Sequence, residues 1–128
     1  HRWLLHVPHR KKWFKTHFGD HHKAAKRNFM YDQKYVQPVT IKGDPEVKGL
    51  IVLGLAHAPI AIWFPYAYLM LIYSAFSYFF VHRRAHQDIT WGRNYLPWHY
   101  DHHMGKNQDA NWCILFPMWD HILNTREK

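Results

Sequence analysis

The chain has 128 residues, enough for one domain, and carries 13 His, 7 Trp, 8 Tyr, 8 Phe and a single Cys. One cysteine excludes an internal disulfide and a cysteine-based metal site, so any bound metal must be held by imidazole or carboxylate. The formal charge of +8 does not read as a nucleic-acid footprint: eleven Lys/Arg lie between Arg2 and Lys48, none between Gly49 and His82, and six from Arg83 onward. Basic segments flanking an apolar one are the pattern of a segment that returns both its ends to the same side of a membrane.

In chain order, the N-terminal 48 residues predict a polar, mostly helical segment ending in a turn-rich stretch from Pro38 to Pro45. The run from Leu50 to Val81 contains no Asp, Glu, Lys or Arg. As one helix it would extend roughly 48 Å at about 1.5 Å per residue, far beyond a hydrocarbon core of about 30 Å. Pro65 sits near its midpoint and opposes helix continuation. The run therefore predicts a hairpin, 49–81, with its turn between Phe64 and Ala67. Aromatic residues such as Trp63, Tyr66, Tyr68, Tyr73 and Tyr78 suit a membrane boundary. The bland alternative is a buried helical hairpin. The remaining C-terminal segment completes a helical cap, so the expected fold class is all-α: a membrane hairpin with a cytosolic helical cap.

Ten histidines fall into four spaced motifs: His1 and His6; His17, His21 and His22; His82 and His86; His99, His102 and His103. Residues three or four apart share a helix face, so His17 with His21, His82 with His86, and His99 with His102 and His103 form chelating pairs. On an α-helix His22 lies about 100° around from His21. Ten imidazoles exceed the four to six positions of one transition-metal ion, which favours a dinuclear site. His9, after Pro8, reads as solvent-exposed or as a support behind a ligand ring. His57 lies within the apolar run, and His121 follows Trp119 and Asp120. Asp20, Asp101 and His121 are candidates to brace the ligand rings from behind.

These motifs resemble the fatty acid hydroxylase superfamily, the histidine-rich membrane di-iron sterol desaturases and fatty acid hydroxylases. HRWLLH is similar to the opening HRxxxH of that family, DHHKAAKR to its second HH motif and FVHRRAH to its HxxxH. WHYDHH, NQDANW and PMWDHILNT are similar to its closing HxxHH, asparagine and WDxxxxT. The resemblance covers nearly the whole chain and assigns metal ligation to His1, His6, His17, His21, His22, His82, His86, His99, His102 and His103. The second motif departs from it, with three residues before the HH pair where many members have two.

The resemblance implies one catalytic domain, 1–128, preceded in family members by further transmembrane helices. It implies a multi-pass membrane protein with its site on the cytoplasmic side, in the endoplasmic reticulum of a eukaryote or the inner membrane of a bacterium. It implies two iron ions, replaceable by zinc in a purified sample, and hydroxylation of a C–H bond of a fatty acyl, sphingolipid, sterol or carotenoid substrate with O₂ and two external electrons. The expected partners are a lipid substrate, the membrane and a cytochrome b5-like or ferredoxin-like donor drawn to Arg10, Lys11, Lys12 and Lys15, with no nucleic acid. Desaturation by the same dimetal site, metal-dependent hydrolysis and a non-enzymatic histidine-rich membrane metal carrier are the alternatives. No substrate-binding residue is legible.

Overall fold

The structure is a computed structural model. It describes residues 2–9 and 11–127, with only the backbone of Leu4; His1 and Arg10, expected as a ligand and as part of a basic face, lie outside the described residues. Among the described residues every regular element is helical. In order these are α1 (Arg2–Leu5), α2 (Lys11–Phe14), a π-helix (Lys15–His22), α3 (Lys23–Arg27), a 3₁₀ turn (Gln33–Val36), α4 (Pro45–His57), α5 (Ile60–Trp63), α6 (Pro65–Gln87), α7 (Ile89–Tyr95), α8 (Pro97–Met104) and α9 (Met118–Ile122).

Local chemistry sets the boundaries. Asp44 caps α4, its side chain accepting from the Glu46 N–H at 2.9 Å, with Pro45 in the first turn. Proline is tolerated there because that turn's N–H groups have no intrahelical acceptor. Asp88 caps α7 in the same way by accepting from the Trp91 N–H. Pro97 opens α8.

The chain divides into two compact units, residues 1–36 with 82–128, and residues 37–81. In the second unit α4 and α6 run antiparallel. The Tyr68 hydroxyl donates to the Gly54 carbonyl at 3.1 Å, and a Cβ on Gly54 would stand 3.3 Å from Ile72 Cδ1. The chain reverses across residues 58–64, earlier than the stretch from Phe64 to Ala67, because α4 already ends at His57 ahead of Pro59. Pro65 instead starts α6. Much of this unit's apolar surface is uncovered, with Ile62, Trp63, Phe64, Tyr66 and Tyr73 each more than 60 % exposed.

The expectation of a multi-pass membrane protein is corrected here: among the described residues no helix is long and apolar enough to cross a membrane. Prolines cut the apolar run into pieces. The 13 residues of α4 span roughly 20 Å, short of a core of about 30 Å. The 23 residues of α6 have the length, but they include Tyr66, Tyr68, Tyr73, Ser74, Ser77 and Tyr78 and end in His82, Arg83, Arg84 and His86. The cytoplasmic-side placement falls with it.

The first unit has an unusual interior. Its buried apolar residues are few: Ala25, Met30, Tyr35, Ala85, Leu96, Ala110 and Ile114. Its largest fully buried side chains are mostly imidazoles, those of His22, His82, His86, His99, His102 and His103. Around them the chain is pulled tight. Gly92 of α7 lies so close to α6 that a Cβ there would stand 2.8 Å from the Ala85 carbonyl oxygen.

Candidate metal centre

Nine of the ten motif histidines are described, and all nine come together within the first unit. Two groups of four have ligand atoms within 4.8 Å of one another: His6, His17, His22 and His102 in the first, His21, His82, His86 and His103 in the second. The groups are neighbours, with the rings of His22 and His103 4.3 Å apart. His99 completes the cluster, its Nε2 3.2 Å from that of His86 and its ring 4.9 Å from that of His82.

Helical geometry explains the division. His82 and His86 lie one turn apart on α6, and His99 and His103 one turn apart on α8. The second motif uses a different device. Lys15–His22 is a π-helix, whose i→i+5 hydrogen bonds place one extra residue in the turn. That widening brings His22 beneath His17, with their Nε2 atoms 3.2 Å apart, five positions apart in sequence. The extra residue of HxxxHH is absorbed this way. His21 and His22 then face different groups.

Five of the rings are held from behind. The Nδ1–H of His86 donates to the Met30 carbonyl at 2.6 Å and that of His102 to the Ala110 carbonyl at 2.7 Å. His21 Nδ1 pairs with Asp32 at 2.8 Å and His6 Nδ1 with Asp109 at 3.2 Å. The Tyr35 hydroxyl lies 3.5 Å from His82 Nδ1. A proton fixed on Nδ1 leaves the Nε2 lone pair facing inward, as a metal ligand requires. Met30 is placed for this by a backbone in the left-handed region, φ 54° at Phe29 and 82° at Met30, a cost that only well-determined surroundings sustain.

The closing segment braces the same site. Asp120, buried, accepts from the N–H groups of Trp112 and Cys113 at 2.8 Å and from the Thr125 hydroxyl at 2.7 Å. These bonds fix the loop that supplies the Ala110 carbonyl. Asn111 accepts from Arg126 at 2.8 Å and from the Glu127 N–H at 2.9 Å.

The bracing residues named from sequence lie elsewhere. Asp20 is exposed, Asp101 pairs with Arg126 at 2.9 Å and His121 is exposed. Asp32, Asp109 and Tyr35 stand behind the rings instead. Asp32 and Asp109 carry no signal in the sequence, lying 11 and 103 positions from their histidines. Of the other histidines, His9 is exposed and the His57 Nδ1–H donates to the Leu53 carbonyl at 2.8 Å, outside both groups.

The donor set fits a metal. Burial is the leading cause that holds His17, His21, His99 and His103 well below their ordinary pKa and brings His102 down to about 3. These rings are neutral and can ligate. Among the described residues His21 Nε2 and both ring nitrogens of His103 have no hydrogen-bond partner, and buried polar atoms without partners are costly. His102 Nε2 lies 3.1 Å from His22 Nε2. Two nitrogens bound to one ion at about 2.0–2.1 Å, with angles near 90–110°, stand about 2.9–3.4 Å apart. In the metal-free chain the same separation holds an N–H···N hydrogen bond, since His22, whose Nδ1 has no partner among the described residues, can carry its proton on Nε2.

No protein-family model, characterised protein or solved structure matches this chain. The likeness to fatty acid hydroxylases therefore rests on the motifs, and the capacity to hold metal on the geometry.

Proposed function

We propose that the chain is an O₂-dependent hydroxylase of an apolar lipid chain, working through two iron ions held by its histidines. The observation that carries this reading is the pair of adjacent four-histidine groups, all imidazole and largely shut off from water. A lone pair of histidines one turn apart supports no such chemistry. Two neighbouring imidazole-rich groups, each able to hold an ion with positions to spare, support two-metal oxidation.

The overall reaction balances as R–H + O₂ + 2e⁻ + 2H⁺ → R–OH + H₂O. Two iron ions bound in these groups would supply the reductive activation of O₂. The chain's residues contribute the rest. His21, His86 and His102 present bare Nε2 atoms because Asp32, Met30 and Ala110 hold their Nδ1 protons. Burial of His99, His102 and His103, each fully enclosed, keeps water from quenching an oxidant. Electrons come from an acidic cytochrome b5-like or ferredoxin-like donor, and the exposed Lys11, Lys12 and Lys15 suit such a partner electrostatically. The uncovered apolar side chains of residues 37–81 favour a lipid as substrate.

Lipid mass spectrometry on cells with and without the protein tests the reading. A gain of one oxygen in a lipid, dependent on O₂ and reductant, is the expected result. Loss of two hydrogens assigns desaturation instead, in which a second hydrogen leaves before oxygen is transferred. A product formed without O₂ or reductant assigns hydrolysis, and unchanged lipids with metal bound leave a carrier role.

A further inference from the structure

We propose that the two histidine groups hold their ions unequally: the group of His21, His82, His86 and His103 is a locked site, and the group of His6, His17, His22 and His102 an exchangeable one. This rests on the two-ion reading above and assigns each ion a different place in it.

The locked group is built from long elements. His21 comes from the eight-residue π-helix, His82 and His86 from the 23-residue α6, and His103 from the eight-residue α8. All four side chains are buried. The carboxylate behind His21 is itself enclosed: the Asp32 side chain is 8 % exposed, and its other oxygen accepts from the Lys34 N–H at 3.0 Å. Tyr35 stacks on His86, ring centres 5.2 Å apart and nearly parallel, and meets His21 and His82 edge-on. Removing an ion here requires separating α6, α8 and the π-helix.

The exchangeable group shares the π-helix through His17 and His22 and α8 through His102, but it takes no ligand from α6 and its fourth ligand is less firmly framed. His6 lies beyond the four-residue α1, in a stretch without regular structure. Its link to the rest of the site includes Asp109, whose side chain is 70 % exposed and 3.2 Å away. A hydrogen bond to so exposed a carboxylate is screened and contested by water. His17 is only half-buried. Water or a chelator therefore reaches this group first, and displacement of His6 opens it while α6 and α8 stay together.

The test uses zinc, which both groups bind without redox chemistry, so its outcome is independent of oxygenase activity. The zinc-loaded chain is mixed with a chromogenic chelator and release is followed with time. Two equivalents leaving in two resolved phases is the expected result. Asp109→Asn speeds the fast phase alone, by less than the roughly 10-fold that losing a well-buried partner behind a ligand ring costs, because this bond is already screened. Asp32→Asn speeds the slow phase, and His6→Ala releases the fast equivalent while retaining the slow one. Should Asp32→Asn fail to fold, the wild-type phases and Asp109→Asn still decide. Two equivalents leaving in a single phase, or acceleration of the slow phase by Asp109→Asn, overturns the inequality and leaves two-ion binding standing. Release of only one equivalent overturns the two-ion reading itself.

Discussion

Acidifying the metal-free chain should unfold it within a narrow pH window. Seven buried or half-buried histidines, His6, His17, His21, His22, His99, His102 and His103, have their pKa lowered from 6.5, and in each burial is the leading cause. Below pH 6.5 the unfolded chain binds protons that the folded chain refuses, so stability falls with falling pH. For His102 the loss continues down to about 3. Each such histidine removes roughly 1.4 kcal/mol per pH unit inside its window. Because the unfolded imidazole is only half-protonated at pH 6.5, each removes roughly 1 kcal/mol between pH 6.5 and 5.5, so three acting together remove roughly 3 and all seven at most roughly 7, against a total stability of about 5–15 kcal/mol for a typical domain. Stability is complete above pH 6.5 and lost between about 6.5 and 5. Bound metal shifts the loss to lower pH, because protons must then displace the ion. Thermal melts by circular dichroism from pH 8 to 5, in chelator and in zinc, measure this. A melting temperature that is flat from pH 8 to 5.5 in chelator would refute the reasoning.

Three further outcomes follow from the packing. His103→Ala removes a fully buried ligand of the second group and should lower bound metal by about one equivalent and abolish product, whereas His9→Ala, at an exposed position, should change neither; metal analysis and product assay on both variants check the division. Asp120→Ala strips the acceptor from the Trp112 and Cys113 N–H groups and should cost roughly 2–6 kcal/mol at about 1–3 per orphaned donor, read by urea unfolding. Gly92→Ala should destabilise by about 1–3 kcal/mol, since its Cβ meets the Ala85 backbone of α6 and no flexible side chain can yield.

The helical class and the histidine cluster were legible because both are local. A spacing of four residues, present in three of the four motifs, fixes a shared face on an α-helix, and a single cysteine leaves imidazole as the ligand. The π-helix left only one trace, the extra residue in HxxxHH. The bracing acids are hidden for a physical reason: Asp20 and Asp101 each precede a ligand by one position, which on a helix turns the side chain to a different face, by about 100° for Asp101 on α8. Asp32 and Asp109 arrive from loops that only the tertiary fold brings in. The apolar run from Leu50 to Val81 reads as membrane-spanning from its lack of charge and its aromatics, taken as boundary residues, but those tyrosines and the serines lie along α6 and lower its apolarity, and α4 already ends at His57.

The most direct test of the central claim is anomalous diffraction at the iron edge from crystals loaded anaerobically with Fe(II). Two peaks are expected, one enclosed by His6, His17, His22 and His102 and one by His21, His82, His86 and His103, with His99 beside the second. A single peak, or iron bound mainly by carboxylates away from these rings, would contradict it.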